Sequence, residues 1–304
     1  MKRMNKRIPF SISVWISVLA LLLFLPAPAA SGADLKEIKE RGVLRHLGIV
    51  YANFVTGSGD GLDVEIVKLF ADHLGVRYEF VETSWGNAIG DLTGKKVLPK
   101  GDDIEIVGEQ PVKGDIIASG FTILPWRQKF VEFSTPSFPS QIWLITRTDS
   151  ALAPIQPTGS VDKDIAAVKQ LLQKRSVLGI ADTCLDPNLY GIKEAGALTI
   201  DFAMTINALV PAVINAEAET TLLEVPDALA ALQKWPGKIK VIGPLSTMQA
   251  MGCAFDKGAP DLRDEFNRFF EQCKKNGAYA LLIKKYYPLV FDYYPEFFQV
   301  NETN

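Results

Sequence analysis

The chain has 304 residues, enough for one large or two modest domains, and 48% of them are hydrophobic, as in ordinary globular proteins. Its formal net charge is −3, and the lack of a basic cluster beyond the N-terminus argues against nucleic acid as a partner. The two histidines lack metal-ligand spacing, and no P-loop, nucleophile elbow or dinucleotide fingerprint is present, so we expect neither a metal nor a cofactor.

The first 32 residues have the layout of a signal peptide. Four basic residues lie within the first seven, an apolar run spans Ile8 to Leu25, and small residues with prolines follow up to Gly32. No cysteine lies near the end of this run, which excludes lipid attachment there. Cleavage near Gly32 would change the formal charge from −3 to −7 and predicts a periplasmic protein. An uncleaved anchor is the open alternative, because the apolar run approaches the length of a spanning helix.

Helices and strands alternate in the first half of the mature chain. The patterns predict, in order, a helix at 35–41, a strand at 43–50, a glycine-rich turn at 57–61, a helix at 62–74, a strand at 77–82 and a helix at 85–92. This alternation is typical of a mostly parallel α/β sheet. The polar segment 95–113 follows, and its one short apolar run favours a hairpin.

A second α/β unit follows and the chain then returns to the first. Helices are predicted at 162–174, 187–195, 205–216, 226–234, 260–275 and 278–287, and strands at 141–147, 176–180, 220–223, 238–242 and 252–255. Pro136 and Pro139 mark the first crossing and Met251 the second. The prediction is a two-lobed clamshell with residues 33–138 and 252–304 in one lobe, 139–251 in the other, and hinge strands near 136–140 and 247–251. We expect the aromatic-rich tail from Pro288 to pack on a domain surface.

The stretch Gly114 to Ser134 carries the strongest indication of a site. A buried strand, Asp115 to Ser119, leads into a turn at Gly120 and a polar loop that carries Thr122 and Arg127. The planar guanidinium of an arginine can donate two parallel hydrogen bonds to one carboxylate. The arrangement therefore predicts a carboxylate-binding loop.

This stretch resembles the solute-binding proteins of family 3, which serve ABC transporters of polar amino acids. The matching residues are Asp115, Gly120, Thr122, Arg127, Phe133 and Ser134. The pattern departs at Leu124, where a second threonine is usual, and at Pro125-Trp126. The opening segment 35–46, the segment 61–76 and the segment 251–288 extend the resemblance over almost all of the mature chain. It implies a periplasmic-binding-protein-like fold of type II. It also identifies residues 95–113 as an insertion relative to the family. We interpret this insertion as a decorative loop, and contact with a ligand or a partner protein is the open alternative.

The resemblance also implies where a ligand would bind. Arg127 would hold an α-carboxylate, and the second lobe would supply an acidic residue for an α-ammonium group, here Glu224 or, alternatively, Asp227. The usual Gly-Thr loop of that lobe is replaced by Asp182-Thr183-Cys184. The ligand-binding residues that we predict are Tyr51, Phe54, Trp85, Gly120, Thr122, Arg127, Thr183 and Glu224. Asp63, in contrast, is expected to anchor the start of its helix.

The leading functional prediction is a monomeric, non-enzymatic periplasmic protein that delivers a small carboxylate-bearing solute, such as an amino acid, to an ABC permease. One alternative is an enzyme resembling cyclohexadienyl dehydratases, with Glu224 as the general acid. The other is a sensor or accessory protein resembling the binding half of lytic transglycosylases. The three cysteines leave disulfide pairing open, with a Cys253–Cys273 bridge conceivable.

Overall fold

The computed structural model describes residues 32–100, 103–181, 183–202 and 205–298; the first 31 residues, which make up all but the last residue of the predicted signal segment, and Asp182 lie outside these ranges. The elements of the first half are α1 (Leu35–Arg41), β1 (Val43–Gly48), α2 (Leu62–Leu74), β2 (Arg77–Glu82), α3 (Ala88–Thr93), β3 (Lys95–Lys100), β4 (Asp103–Glu109), β5 (Ile116–Ile117), α4 (Pro125–Gln128), β6 (Val131–Phe133) and β7 (Phe138–Ser140). The second half contains β8 (Ile142–Arg147), α5 (Val161–Gln170), β9 (Ser176–Gly179), a 3₁₀ turn (Pro187–Tyr190), β10 (Leu198–Asp201), α6 (Ile206–Ile214), β11 (Thr220–Glu224), α7 (Val225–Lys234), β12 (Ile239–Pro244), β13 (Gln249–Met251), β14 (Ala254–Asp256), α8 (Pro260–Lys275), α9 (Ala278–Tyr286), α10 (Val290–Tyr293) and a 3₁₀ turn (Pro295–Phe298).

Two five-stranded sheets form the two lobes of a mixed α/β fold. The sheet of lobe 1 has the strand order β2-β1-β5-β14-β6, in which β1 runs parallel to β2 and β5 while β14 is antiparallel to β5 and β6. The sheet of lobe 2 has the order β10-β9-β11-β8-β12, with β9 parallel to β10 and β11 and β8 antiparallel to β11 and β12. The two-lobed α/β architecture predicted from the sequence is therefore confirmed.

Helix α2 packs on the sheet of lobe 1 through an apolar face and ends at a glycine. Its apolar side chains Val67 and Phe70 are fully buried, and Gly75 ends the helix with φ 71°. A left-handed residue directly after a helix is most easily a glycine, because it has no Cβ to clash. The helix thereby presents one apolar face to β1 and turns sharply into β2.

A pair of antiparallel strands connects the lobes. β7 pairs with β13, with Phe138 opposite Met251 and Ser140 opposite Gln249. Both strands fall within the segments that the sequence predicted as the hinge, while the exact domain boundaries stay a prediction. Two crossover strands between two packed lobes allow hinge closure around a ligand.

The C-terminal segment returns to lobe 2 after leaving α9. The ring centroids of Trp143 and Tyr293 lie 4.8 Å apart, and Tyr294 stacks on Trp143 at 5.9 Å. The Tyr294 hydroxyl donates to Gln141 Oε1 at 2.9 Å. The aromatic tail therefore packs on a domain surface, as expected, through residue 298.

Segment 95–113 contains the expected hairpin, because β3 and β4 pair antiparallel with a register irregularity between Lys96 and Val97. Cys184, Cys253 and Cys273 are all free thiols, so the conceivable Cys253–Cys273 bridge is not formed. Within the part of the chain that the structure describes, none of the helices has both the length and the apolar character needed to cross a bilayer.

Candidate functional site

Side chains from both lobes meet in a cleft at the carboxyl ends of the strands. Tyr51 follows β1, Trp85 follows β2 and Thr122 follows β5 in lobe 1, while Glu224 ends β11 in lobe 2. Ligands of open α/β sheets bind in the crevice outside these strand ends. The topology thus brings together residues that are far apart in the sequence.

Glu224 is the most highly connected side chain of the cleft. Its Oε1 accepts hydrogen bonds from Ser140 Oγ at 2.7 Å and from Thr122 Oγ1 at 3.3 Å. The Tyr51 hydroxyl donates to Oε2 at 3.0 Å, and Cys184 Sγ lies 3.9 Å from the same oxygen. Glu224 is buried, so these hydroxyl groups take the place of the water that the carboxylate has lost.

Asp227 lies in the first turn of α7, one helical turn beyond Glu224. Its Oδ2 is 2.9 Å from the Tyr51 hydroxyl oxygen. Burial, and then the nearby charge of Glu224, raises the pKa of Asp227 to about 8. Burial and the two carboxylates likewise raise the pKa of Tyr51 well above its ordinary value. Tyr51 therefore joins the lobes through two acidic side chains, and the cleft is closed across this contact.

Arg127 lies opposite these carboxylates, in the short helix α4. The sequence placed it on a loop; that expectation was wrong, since Pro125 occupies the first turn of a helix. The guanidinium carbon is 3.9 Å from the Phe121 ring centroid and 6.0 Å from that of Trp85. Nη1 donates to the Thr122 carbonyl at 2.8 Å, whereas Nε is buried and has no hydrogen-bond partner among the described residues. Burial lowers the pKa of Arg127 to about 10, which leaves it charged at neutral pH.

Trp85 and Phe54 occupy different environments. Trp85 is 45% exposed, meets the Tyr51 ring edge-on at 5.4 Å and lies parallel to Phe121 at 6.2 Å. Phe54 is 1% exposed, stacks on Tyr51 at 6.0 Å and contacts Tyr287 at 5.1 Å. Trp85 therefore lines the cleft itself, and Phe54 supports the Tyr51 ring from the core.

The Gly120 N–H and the Thr183 hydroxyl group both form hydrogen bonds within their own lobes. The Gly120 N–H donates to Asp63 Oδ2 at 2.7 Å, so Asp63 anchors this turn as well as lying at the start of α2. The Thr183 hydroxyl donates to the Ile180 carbonyl at 2.7 Å and accepts from the Leu185 N–H at 3.0 Å. Their direct contact with a ligand stays a prediction.

The structure adds Asp227, Phe121, Ser140 and Cys184 to the cleft. The sequence analysis named Asp227 only as the alternative to Glu224 for the acidic residue, and it named Cys184 only as part of the altered loop of the second lobe. Nothing in the sequence indicated that Phe121 and Ser140 line the cleft, because an apolar residue after a glycine and a serine after a proline are both common. Their roles depend on the packing of the two lobes.

Asp63 gives a testable dependence of stability on pH. Burial raises the pKa of this aspartate to about 7, so the folded protein keeps a proton that the unfolded chain loses near its ordinary value. The free energy of unfolding should therefore fall as pH rises through this window. Asp63→Asn keeps an acceptor for Gly120 without a charge, so we expect the variant to be more stable than the parent at pH 8. The difference should shrink as pH falls toward the ordinary pKa of an aspartate, as measured by urea unfolding.

A matched control for this measurement is Asp115→Asn. The Asp115 carboxylate is buried too, but it pairs with Arg41 and Arg45, the latter at 2.8 Å. Its neutralisation should lower the free energy of unfolding at pH 8, because two arginines lose their partner. A loss of stability at pH 8 in both variants would contradict the account of Asp63.

Comparison with known proteins connects this geometry to a family. The family model for bacterial extracellular solute-binding proteins, family 3, matches residues 108–288. The chain is 26% identical over 242 residues to a protein named membrane-bound lytic murein transglycosylase F of Desulfosudis oleivorans, covering 77% of this chain and 46% of that protein. The chain thus spans about half the length of the transglycosylases that it matches.

Two further relatives match over nearly their whole length. The protein named L-cystine-binding protein TcyJ of Escherichia coli is 23% identical over 281 residues, covering 90% of this chain and 94% of its own. The ancestral amino acid-binding protein AncCDT-1, described as a precursor of cyclohexadienyl dehydratase, superposes with a TM-score of 0.60 at 28% identity, covering 83% of this chain and 99% of its own. Because the family model spans more than half of the sequence, the chain belongs to the bacterial extracellular solute-binding proteins of family 3.

Proposed function

We propose that the protein is the periplasmic substrate-binding component of an ABC-type transporter, acts as a monomer and binds a small amino-acid-like solute between its lobes. The observation that carries the proposal is the Arg127 guanidinium, which is charged, packs on Phe121 and has a buried Nε without a hydrogen-bond partner in the described part of the chain. A buried donor without an acceptor is costly. A ligand carboxylate would supply an acceptor that none of the described residues provides.

The opposite wall of the cleft suits the other end of such a solute. Glu224 and Asp227 present carboxyl oxygens toward the same point, the position of the Tyr51 hydroxyl. An ammonium group there could donate to both. Trp85 and Tyr51 flank this space and can pack an apolar portion of the ligand. The names of the cystine-binding and amino acid-binding relatives support the same class of solute.

The proposal can be tested before the solute has been identified. Mass spectrometry of the gently purified protein should detect a co-purified small carboxylate. A thermal-shift screen of amino acids and carboxylic acids should raise the melting temperature of the mature protein for at least one of them, because ligand bound only to the folded state stabilises it. The absence of both a co-purified solute and any shift would refute the proposal.

An enzymatic role is the second candidate, and it is favoured by the likeness to a precursor of cyclohexadienyl dehydratase. Glu224 would act as the general acid opposite Arg127, as the sequence suggested. The hydroxyl groups of Ser140 and Thr122 donate to its Oε1 and that of Tyr51 to its Oε2, so both oxygens already have partners within the protein. Turnover of prephenate that disappears in Glu224→Gln would establish the enzyme and replace the transport proposal.

An accessory role is a third candidate because of the match to lytic transglycosylases over about half their length. Fragments of the cell-wall polymer are the ligands that would distinguish this role. A thermal shift with soluble muropeptides, and none with free amino acids, would favour it over transport.

A further inference from the structure

The last turns of the chain connect the two lobes in addition to the hinge strands β7 and β13. We call residues 288–298 the C-terminal strap. The strap leaves α9 of lobe 1 at Tyr287. Near its other end, the rings of Tyr293 and Tyr294 pack on Trp143 of lobe 2, with centroid distances of 4.8 and 5.9 Å. The two ends of the strap are therefore attached to different lobes.

The start of the strap is fixed to lobe 1. Tyr287 is fully buried, and its hydroxyl accepts a hydrogen bond from the Asn53 N–H at 2.9 Å. The Tyr286 hydroxyl accepts from the Gly61 N–H at 3.1 Å, and the Tyr286 carbonyl accepts from Asn53 Nδ2 at 2.7 Å. Both partners belong to the loop before α2, so the end of α9 moves together with lobe 1.

Consecutive hydrogen-bonded turns join Tyr287 to Tyr294. The Val290 N–H donates to the Tyr287 carbonyl at 3.0 Å, and the Tyr294 N–H donates to the Val290 carbonyl at 2.8 Å. Val290 is also fully buried. Stretching this part of the strap would break paired backbone groups and expose an apolar side chain, and both changes cost free energy. The rings at the far end of the strap are thus held at a fixed distance from lobe 1.

The far end of the strap contacts the first residues of lobe 2. The Tyr294 hydroxyl donates to Gln141 Oε1 at 2.9 Å, and Trp143 Nε1 donates to the same oxygen at 3.1 Å. Gln141 Nε2 donates to the Ser246 carbonyl at 2.8 Å. Trp143 lies in β8, which pairs with β11 and β12 inside the sheet of lobe 2. Gln141 and Trp143 therefore move together with lobe 2.

The hinge strand β7 lies between the two ends of the strap. The Phe138 ring of β7 is 4.7 Å from the ring of Tyr287 and 6.1 Å from that of Phe298, measured between centroids. Trp143 lies three residues beyond Ser140, the last residue of β7, or about 10 Å along an extended chain. Rotation of lobe 2 about β7 moves Trp143 relative to a strap that stays with lobe 1. A hydrogen bond is lost once donor and acceptor are about 3.6 Å apart, so such a rotation breaks the contacts of the strap.

We propose that the C-terminal strap is a latch that holds the two lobes together, and that the cleft opens only when Tyr293 and Tyr294 leave Trp143 and Gln141. The inference goes beyond the proposed function, because it concerns the opening of the cleft and not the identity of a solute. An aromatic pair and a hydrogen bond each change an equilibrium constant by about two- to twelvefold. The strap should therefore lower the fraction of molecules with an open cleft by the product of these factors.

The latch can be tested by measuring the distance between two spin labels in the protein without any solute. Asn87→Cys and Leu189→Cys provide the label positions, because both residues are exposed. They follow Trp85 and Cys184, which lie on opposite walls of the cleft, by two and five residues. Every variant also carries Cys184→Ser, since this exposed thiol would react with the label, whereas the other two thiols are buried. The ratio of long to short distances then measures the ratio of open to closed molecules.

Removal of the contacts of the strap should raise this ratio. Tyr294→Phe keeps the ring and removes the hydroxyl that reaches Gln141, so we expect an increase of about fivefold. Tyr293→Ala, added to Tyr294→Phe, should raise the ratio further by a similar factor. Tyr78→Phe is the matched control, because its hydroxyl lies 2.9 Å from His46 Nδ1 within lobe 1. This control should leave the ratio unchanged.

The same variants should also be measured together with Tyr51→Phe. That change removes the hydroxyl that joins the lobes through Glu224 and Asp227, so it raises the open fraction to a level at which a further increase is measurable. An unchanged ratio in both strap variants, with and without Tyr51→Phe, would overturn the latch. An equal rise in Tyr78→Phe would overturn it too, because the effect would then follow from lost stability alone. Neither result bears on the proposed function, which fails only if no solute of the wider screen binds.

Discussion

Arg127→Ala is expected to weaken solute binding by about 2–5 kcal/mol, or roughly thirtyfold to several-thousandfold. The physical reason is that the variant removes a charged donor whose buried Nε has no acceptor among the residues that the structure describes. The ligand carboxylate would then lose its charged partner. Calorimetric titration with the solute identified by co-purification measures the effect directly.

Two variants separate the role of the guanidinium from effects on folding. Arg127→Lys keeps a charge but loses the planar fork, so its affinity should lie between those of the parent and the alanine variant. Arg77→Ala removes an exposed arginine whose partner Glu79 is also exposed, and it should leave affinity unchanged. Full affinity in Arg127→Ala would show that the carboxylate binds elsewhere.

Gly120→Ala is expected to destabilise the fold by about 3 kcal/mol or more and to disturb the aromatic wall of the cleft. A Cβ at this position would lie 2.4 Å from Phe54 Cδ2, and φ of Gly120 is +62°, which side chains with a Cβ rarely adopt. Phe54 supports Tyr51, so its displacement should also disturb the cross-lobe contact with Glu224. Urea unfolding measures the first effect and solute titration the second.

The control for Gly120→Ala is Gly42→Ala, which has a similar φ of +71° but no atom within 4 Å of an added Cβ. Its cost should be limited to backbone strain, about 1 kcal/mol. The difference between the two variants therefore isolates the packing of Phe54. Equal destabilisation in both variants would mean that the close approach to Phe54 is relieved without cost.

Strong periodicity and clear stop signals made several elements predictable to the residue. The bounds of α2, β2 and α8 agree with the sequence expectation. The two helices combine an apolar stripe with glycine or asparagine after their last residue, and β2 shows alternation. Strand β10 was missed, since Leu198, Ile200 and Asp201 are exposed and the strand has no buried face to reveal it. Helix α4 was missed because it is only one turn long.

The sequence predicted which positions line the cleft, but it could not predict which side chains contact each other there. The family pattern located Thr122, Arg127 and Glu224, all of which line one cleft in the structure. It could not show that Tyr51 reaches Asp227, because that contact depends on how two separately folded sheets approach each other. Nor could it show that the Gly120 N–H is occupied by Asp63, since the two residues belong to different elements.

The position of β14 has a consequence for the order in which the protein folds during synthesis. Ala254 pairs with Ile117 on one side and Phe133 on the other, so the sheet of lobe 1 lacks an internal strand until residues beyond lobe 2 have been made. All strands of lobe 2 precede β14 in the chain, so that lobe can fold first. Arg127 and Tyr51 would then be fixed in their final places last, and the nascent protein would acquire its affinity for solute only when its C-terminal portion emerges.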